Sequence, residues 1–400
     1  MDSLECLFCH RRFPLDVFFP FCPDCDEPLL VRESTKPRAF RTDKKLAIEV
    51  FREFLPLGKI DPDLSLGEGG TPLIRLGRLM SKFALPLVLA KNETVNPTSS
   101  FKDRGTAVAV QKAVSLGLKR IGTISTGNMA GSTAAYAAKA GLPCVIFVKE
   151  DTTREKILAA GIYGPTLFKV RGDYGRLFRK SFEIGRKYGI YFMNSVDPFR
   201  IEGYKATGFE IFLQLGARAP EYILVPVSAG GHLIGLMRSF LDLKKEGMIQ
   251  EMPVFIGVQA TGCSPLARAS ASGKTAFSIF RNPRTIAHAI SNPNPPGGNI
   301  VLKMIRENQG MMVGVTDAEI LKAQKILAEE EGFFCDPASA TVAAALPRLT
   351  GTLKWKSRDR IVLVITGSGL KTIEDLDAAS ARYHEASLES LERKMSSVLS

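Results

Sequence analysis

The sequence predicts an α/β protein: two open parallel-sheet domains with a cleft between them, preceded by a small module held by four cysteines. Three observations predict this. From about residue 85 onward, short apolar runs alternate with Ala-rich helical patterns, the mark of strand-helix-strand units and of sheets covered on both faces. The alternation comes in two series, separated by more than one domain's worth of a single core in a chain of 400 residues. Two Cys-x2-Cys pairs stand at the N-terminus, ahead of both series.

The cysteine pairs are Cys6 with Cys9 and Cys22 with Cys25, twelve residues apart, which brings four thiolates within reach of one tetrahedral zinc. Two disulfides or a metal-free ribbon are the alternatives. Cytosolic reduction argues against the first and the paired spacing against the second. Such a zinc is structural, because four thiolates leave no open coordination position. Residues 31–60, charged and carrying Pro37 and Pro56 with Pro62 just beyond, read as a linker that becomes a lead-in segment.

The first series has strand candidates at 85–90, 121–125 and 144–148 and helices at 103–115, 128–140 and 153–160. The second has strands at 222–227, 254–259 and 361–365 and helices at 233–244, 317–332 and 338–346. Between them, 263–300 carries Pro265, Pro283, Pro293, Pro295, Pro296, Gly297 and Gly298 and reads as irregular chain lining the cleft. The tail, 373–400, reads as one polar amphipathic helix for docking or oligomerisation. The resulting division is a zinc-ribbon-like module (1–32), a lead-in segment and part of the large domain (33–90), a small domain (91–202), the rest of the large domain (203–385) and a helical tail (386–400).

Lysine and arginine (53) exceed aspartate and glutamate (41), for a net +12, which would suit nucleic acid, a membrane surface or a small anion. No run of five basic residues and no basic-aromatic interleaving is present, so nucleic acid is set aside in favour of a small phosphorylated metabolite. The N-terminus lacks a basic start with an apolar core, and apolar runs such as 361–366 fall far short of the roughly 20 residues that span a bilayer. A soluble, cytoplasmic protein with no membrane partner is expected.

Four loops at strand ends carry unusual chemistry, where open α/β sheets bind ligands. In Ser99, Ser100, Phe101, Lys102, Asp103, Arg104, Gly105, a lysine opens a helix against the preference for anions there. It reads either as a nucleophilic amine of lowered pKa or as a surface lysine paired with Asp103. In Ser125, Thr126, Gly127, Asn128, the asparagine is placed to cap a helix or to touch a ring hydroxyl. The turn Val227, Ser228, Ala229, Gly230, Gly231, His232 would let backbone N-H groups cradle a phosphate, or simply pack tightly. Thr366 and Ser368, among glycines, could bond a heteroaromatic nitrogen or form a plain turn. Nucleotide motifs fail: Gly273, Lys274, Thr275 has Arg268 where a P-loop needs glycine, and Gly67 to Gly70 is followed by Pro72 where a dinucleotide fingerprint needs its third glycine. The histidines, His10, His232, His288 and His384, have no catalytic-metal spacing.

Taken in order, these loops resemble the fold-type II enzymes that use pyridoxal 5'-phosphate, the tryptophan synthase β-like group, and within it the threonine synthase branch. The resemblance runs through the opening motif at 67–74, the lysine segment at 91–105, the asparagine loop at 125–132, and the segments 194–205, 336–340 and 366–371. Some microbial members also carry an N-terminal zinc ribbon. The resemblance implies that Lys102 holds the cofactor as a Schiff base and is the catalytic base, with Phe101 packed beside it. It implies that Asn128 touches the cofactor's 3'-oxygen, that Val227, Ser228, Ala229, Gly230, Gly231 and His232 hold its phosphate, and that Thr366 faces its ring nitrogen. It places the substrate carboxylate against Ser125 and Thr126, and the substrate phosphate against Lys91, Asn194, Ser195 and Arg200. The implied reaction makes L-threonine and phosphate from O-phospho-L-homoserine and water, by a homodimer. Three departures stand out: Ser99 where glycine is usual, a phosphate loop without asparagine, and the segment 291–298. They keep cysteate synthase (O-phosphoserine and sulfite), threonine or serine ammonia-lyase, and a silent interaction protein on the same fold in view.

Overall fold

The computed structural model describes residues 3–32, 38–373 and 384–399. Pro37 and part of the expected tail helix lie outside the described residues. The N-terminal module is a three-stranded antiparallel sheet in which β1 (Ser3–Glu5) lies between β2 (Arg12–Pro14) and β3 (Leu30–Val31). The module is fastened to the rest of the chain by Phe21, edge-on to Phe178 and Phe182, by the Asp26 and Arg179 pair, and by Glu27, which accepts from Asn299. The segment after it is no free linker. Arg38 pairs with Asp242 and Glu246, and Phe51 and Phe54, just after the end of α1 (Ala47–Val50), pack with Phe40 against Phe209.

The large sheet begins with β4 (Leu73–Arg75), α2 (Gly77–Phe83) and β5 (Leu87–Asn92), and then α3 (Lys102–Ser115) leads away to the small sheet. The small domain runs β6 (Ile121–Ile124), α4 (Asn128–Lys139), β7 (Cys144–Lys149), α5 (Arg154–Gly161), β8 (Thr166–Val170), α6 (Tyr174–Tyr188) and β9 (Tyr191–Phe192). Its four strands are all parallel, in the order β8-β7-β6-β9.

The chain returns through α7 (Pro198–Gln214) to β10 (Tyr222–Pro226), α8 (Gly231–Lys245), β11 (Val254–Ala260), α9 (Pro265–Ala271), α10 (Gly298–Glu307), β12 (Met311–Val315), α11 (Asp317–Glu331), α12 (Pro337–Thr350) and β13 (Arg360–Ile365). The large sheet has the order β12-β11-β10-β13-β5-β4. It departs from the expected all-parallel sheet in one strand, since β4 pairs antiparallel with β5 at its edge. Its central strands are continuous apolar runs because helices cover both faces, α7, α8 and α10 on one side and α2, α11 and α12 on the other. The 263–300 segment is less irregular than expected, since α9 lies inside it. The tail expectation is also corrected: among the described residues its helix, α13, spans only Leu391–Leu399 and none of its residues is buried.

This topology positions the site. Strands β5, β10 and β13 are parallel neighbours, so the loops that follow them emerge at one edge of the large sheet. Strand β6 in the middle of the small sheet presents its own following loop toward that edge, where the Asn128 amide meets Gly367 and Lys371.

Candidate active site

The loop after β5 is stitched to the loop after β13. Phe101 N-H donates to Thr366 O (3.0 Å) and Ser368 N-H to Ser99 O (3.1 Å). Asp103 steadies the loop from inside, accepting from Thr98 N-H (2.6 Å) and the Thr98 hydroxyl (2.5 Å). The alternative reading, a Lys102 paired with Asp103, finds no such pair among the described residues: Asp103 belongs to the loop's own scaffold. Lys102 opens α3 with its amine 4.2 Å from the Phe101 ring centre and with no hydrogen-bond acceptor among the described residues. Burial, aided by the nearby Arg200 charge and opposed by Asp336, pulls the Lys102 ammonium down to about 7, so a large share of this amine is neutral at neutral pH.

At the start of α8, Gly230 adopts φ +100 and turns the chain, a conformation only glycine takes without strain. Around it the packing is close: a side chain on Gly231 would meet Ser195 O at 2.5 Å. The backbone N-H groups of residues 228–233 have no acceptor among the described residues. A run of free N-H groups at a helix start is an anion seat. His232, in the first turn, is buried with both ring nitrogens unpartnered.

At the start of α4 the N-H groups of Thr126, Asn128 and Met129 are likewise without acceptors among the described residues, while Ser125 Oγ accepts from Gly127. Lys371 Nζ donates to Asn128 Oδ1 (3.0 Å), which turns the amide so that its Nδ2 faces Gly367. A side chain on Gly367 would sit 2.6 Å from Asp336 and 3.1 Å from that Nδ2, so only glycine fits here. The Thr366 hydroxyl shares a hydrogen bond with Ser339 (2.9 Å), and Ser339 Oγ accepts from the N-H groups of Thr366 and Gly367.

Three of the residues expected at the substrate have partners of their own in this structure. Lys91 is fully buried, and its three donors go to Glu210 (2.6 Å), Thr71 O (2.6 Å) and Gln214 (3.0 Å). Asn194 is a structural clamp: its Oδ1 accepts from Ile124 N-H and its Nδ2 donates to Ser181. Arg200 is buried beside the lysine helix, bonded to Thr106 (2.9 Å), to the Tyr204 hydroxyl and to Lys102 O. Ser195 remains half-buried beside the α8 turn. Four residues gained roles that the sequence had not given them: Ser339, Asp336, Lys371 and Tyr204. Asp336 had a readable signal, since Asp-Pro with serine three residues on is a helix-cap pattern, and its carboxylate does accept from Ser339 N-H (2.7 Å).

These observations fit pyridoxal phosphate: a neutral amine without a partner, an anion seat, an oriented amide and a hydroxyl converge on one edge. They also fit a metal in the N-terminal module. Cys6, Cys9, Cys22 and Cys25 are free thiols with their sulfurs all within 4.8 Å of one another, and Cys9 and Cys22 are 3.7 Å apart, close to the roughly 3.8 Å that tetrahedral Zn-S bonds of about 2.3 Å require. No helix among the described residues is long and apolar enough to cross a membrane.

A profile of the family described as pyridoxal-phosphate dependent enzyme matches residues 64–367. A threonine synthase of Methanocaldococcus jannaschii is 36% identical over 382 residues, covering 94% of this chain and 93% of that protein. One of Methanosarcina acetivorans is 35% identical over 378 residues, covering 93% and 92%. Among solved structures, the processed threonine deaminase isoform 2 of Solanum lycopersicum aligns with a TM-score of 0.65 at 19% identity, covering 90% of each chain, and shares the fold.

Proposed function

The chain belongs to the pyridoxal-phosphate dependent enzymes of fold type II, with relatives named threonine synthase, and from that premise we propose that it converts O-phospho-L-homoserine and water to L-threonine and phosphate. The observation that carries this reading is a Lys102 amine without an acceptor among the described residues, its pKa pulled down to about 7, together with two runs of free N-H groups, one at α8 for the cofactor's phosphate and one at α4 for a substrate carboxylate.

When bound, pyridoxal phosphate supplies an electron sink that makes a proton on the substrate's Cα removable. The chain's own residues supply the rest. Lys102 Nζ, kept neutral by burial and by the Arg200 charge, takes the Cα proton and returns protons to neighbouring carbons within its reach. The N-H groups of Thr126, Asn128 and Met129 fix the substrate carboxylate, so that Cα-H faces the amine. Asn128, turned by Lys371, offers Nδ2 to a ring oxygen. Thr366, tied to Ser339, offers the ring nitrogen a neutral hydroxyl and not a charge, which tempers the sink. Zinc is the metal assigned to the four-cysteine cluster, in a structural role, and the family resemblance supports a homodimer.

The test is phosphate release with product identification, comparing O-phospho-L-homoserine with O-phospho-L-serine plus sulfite. L-threonine from the first supports the reading; turnover of the second pair alone would replace it with cysteate synthesis.

A further inference from the structure

His232 is the second residue of α8, and it is 7% exposed, both ring nitrogens buried without one hydrogen bond among the described residues. Buried imidazoles are normally bonded, because an unmet donor or acceptor away from water is costly. Packing alone fixes this one. The ring lies face to face with Phe101 (centres 3.9 Å apart, planes at 16°) and edge-on to Tyr204 (5.4 Å, 67°). Phe101 is also the ring against which the Lys102 amine rests. The histidine thus joins, ring against ring, the segment that carries Lys102 to the turn whose N-H groups, residues 228–233, have no acceptor among the described residues.

The titratable and charged groups facing it are Lys102 and Arg104 from α3 and Tyr204 from α7. On the other side, the chain from Gly297 to Val301 closes over the loop and brings no charge at that end. Burial first, and then the Lys102 and Arg104 charges, hold the imidazole well below its ordinary pKa, so it is neutral without a ligand. A neutral ring has one donor and one acceptor, and the acceptor is open to a proton as soon as a negative charge arrives beside it.

We propose that His232 is a phosphate-responsive acid-base group: a phosphate monoester seated on the N-H groups of residues 228–233 accepts a hydrogen bond from the ring and brings a proton onto it, and the ring releases that proton when the phosphate leaves. The proton is the one carried by the monoanionic ester, or one drawn from water when the ester docks as a dianion; nothing else is consumed. The inference rests on reading this loop as the cofactor's phosphate seat. It gives the chain's departure from the family pattern at His232 a role, that of separating phosphorylated from unphosphorylated ligands by charge.

The experiment uses the full-length apoprotein with ring-15N histidine and two probes that cannot bond covalently to Lys102, pyridoxamine 5'-phosphate and pyridoxamine. His10, His288 and His384 are exposed, so the buried His232 is identified in the wild type as the ring shielded from a soluble paramagnetic agent. At pH 8 the expected result is a change of that ring to the imidazolium pattern with the phosphate probe only. It comes with proton uptake, read by calorimetry in two buffers of different ionisation enthalpy, that is lost in His232→Asn together with on the order of tenfold in affinity. Binding of the phosphate probe with an unchanged ring spectrum, or with the same proton uptake in His232→Asn, overturns the proposal and leaves the cofactor reading standing. Failure of the wild type to bind the phosphate probe more tightly than pyridoxamine overturns both. If His232→Asn does not fold, the wild-type ring spectrum decides alone.

Discussion

Lys91 and Lys102 lie on either side of one loop, and both were candidates for binding or chemistry. The structure divides them. Lys91 spends every donor on Glu210, Thr71 and Gln214, inside a buried network in which Arg104 also binds Glu210 and Glu93. Lys102 has no acceptor among the described residues, and the Arg200 charge acts on it unfavourably. A buried cation given carboxylates holds a fold together; a buried cation denied them is held ready to lose its proton. The two lysines teach that what separates scaffold from chemistry here is the partner and not the residue type.

The largest way to test that contrast is Lys102→Ala. Reconstituted with pyridoxal phosphate, the variant should lack the visible absorbance band of the lysine-bound cofactor and lose about 10³-fold or more in turnover. Its stability should not fall. An amine whose folded pKa is about 7 against an ordinary value of about 10.4 binds fewer protons when folded than when unfolded across that window, so wild-type apoprotein should gain stability as pH rises from 7 toward 10. Urea unfolding of the variant should show a flatter rise over the same range.

On the scaffold side, Glu210→Gln should destabilise by about 3–5 kcal/mol, because it leaves the Lys91 charge buried without its carboxylate partner and Arg104 with Glu93 alone. Burial pushes the Glu210 carboxyl up, but Arg104 and Lys91 outweigh it and hold it at about 2. A depressed carboxyl stabilises above its ordinary pKa and loses that contribution as pH falls, so wild-type stability should drop between about pH 4.5 and 2, a limb the variant lacks. Folded Glu210→Gln should still capture cofactor with wild-type absorbance, the opposite signature to Lys102→Ala.

Arg200 joins the two regions, and Arg200→Met should sharpen the comparison. Removing its charge lets the Lys102 amine move back toward its ordinary pKa. The pH dependence of cofactor capture by apoprotein should therefore shift upward by about one unit. An unchanged profile would mean that burial alone sets the amine.

What could be read from the chain follows the same divide. Lys102, Asn128, Thr366 and the turn at Gly230 and Gly231 sit in loops directly after strands, where short local patterns carry the signal. The partners that Lys91 and Asn194 have in this structure could not be read from the chain because they are remote: Glu210 and Ser181 come from other helices, and no local spacing announces them. Helix α7 escaped the pattern search for a related reason. Nearly all of it is buried, so it has no polar face to give a 3.6-residue period. Strand β9 is two residues long, and β8 is a largely exposed edge without a clear apolar alternation.

The smallest expected effect concerns Ser99, where the family usually has glycine. Its φ is +56, in the left-handed region, so the side chain is strained. The loop nonetheless holds, because Ser99 N-H donates to Asn96 O and Ser99 O accepts from Ser368. Ser99→Gly removes a strain of about 1–2 kcal/mol but adds unfolded-state freedom of about 0.5–1 kcal/mol, leaving a net gain of at most about 1 kcal/mol. Thermal unfolding of the apoprotein should show a small rise, with the Lys102 pH profile unmoved. A fall in stability would mean that the serine side chain contributes something to the lysine loop, and would make the departure from glycine part of the site and not a tolerated strain.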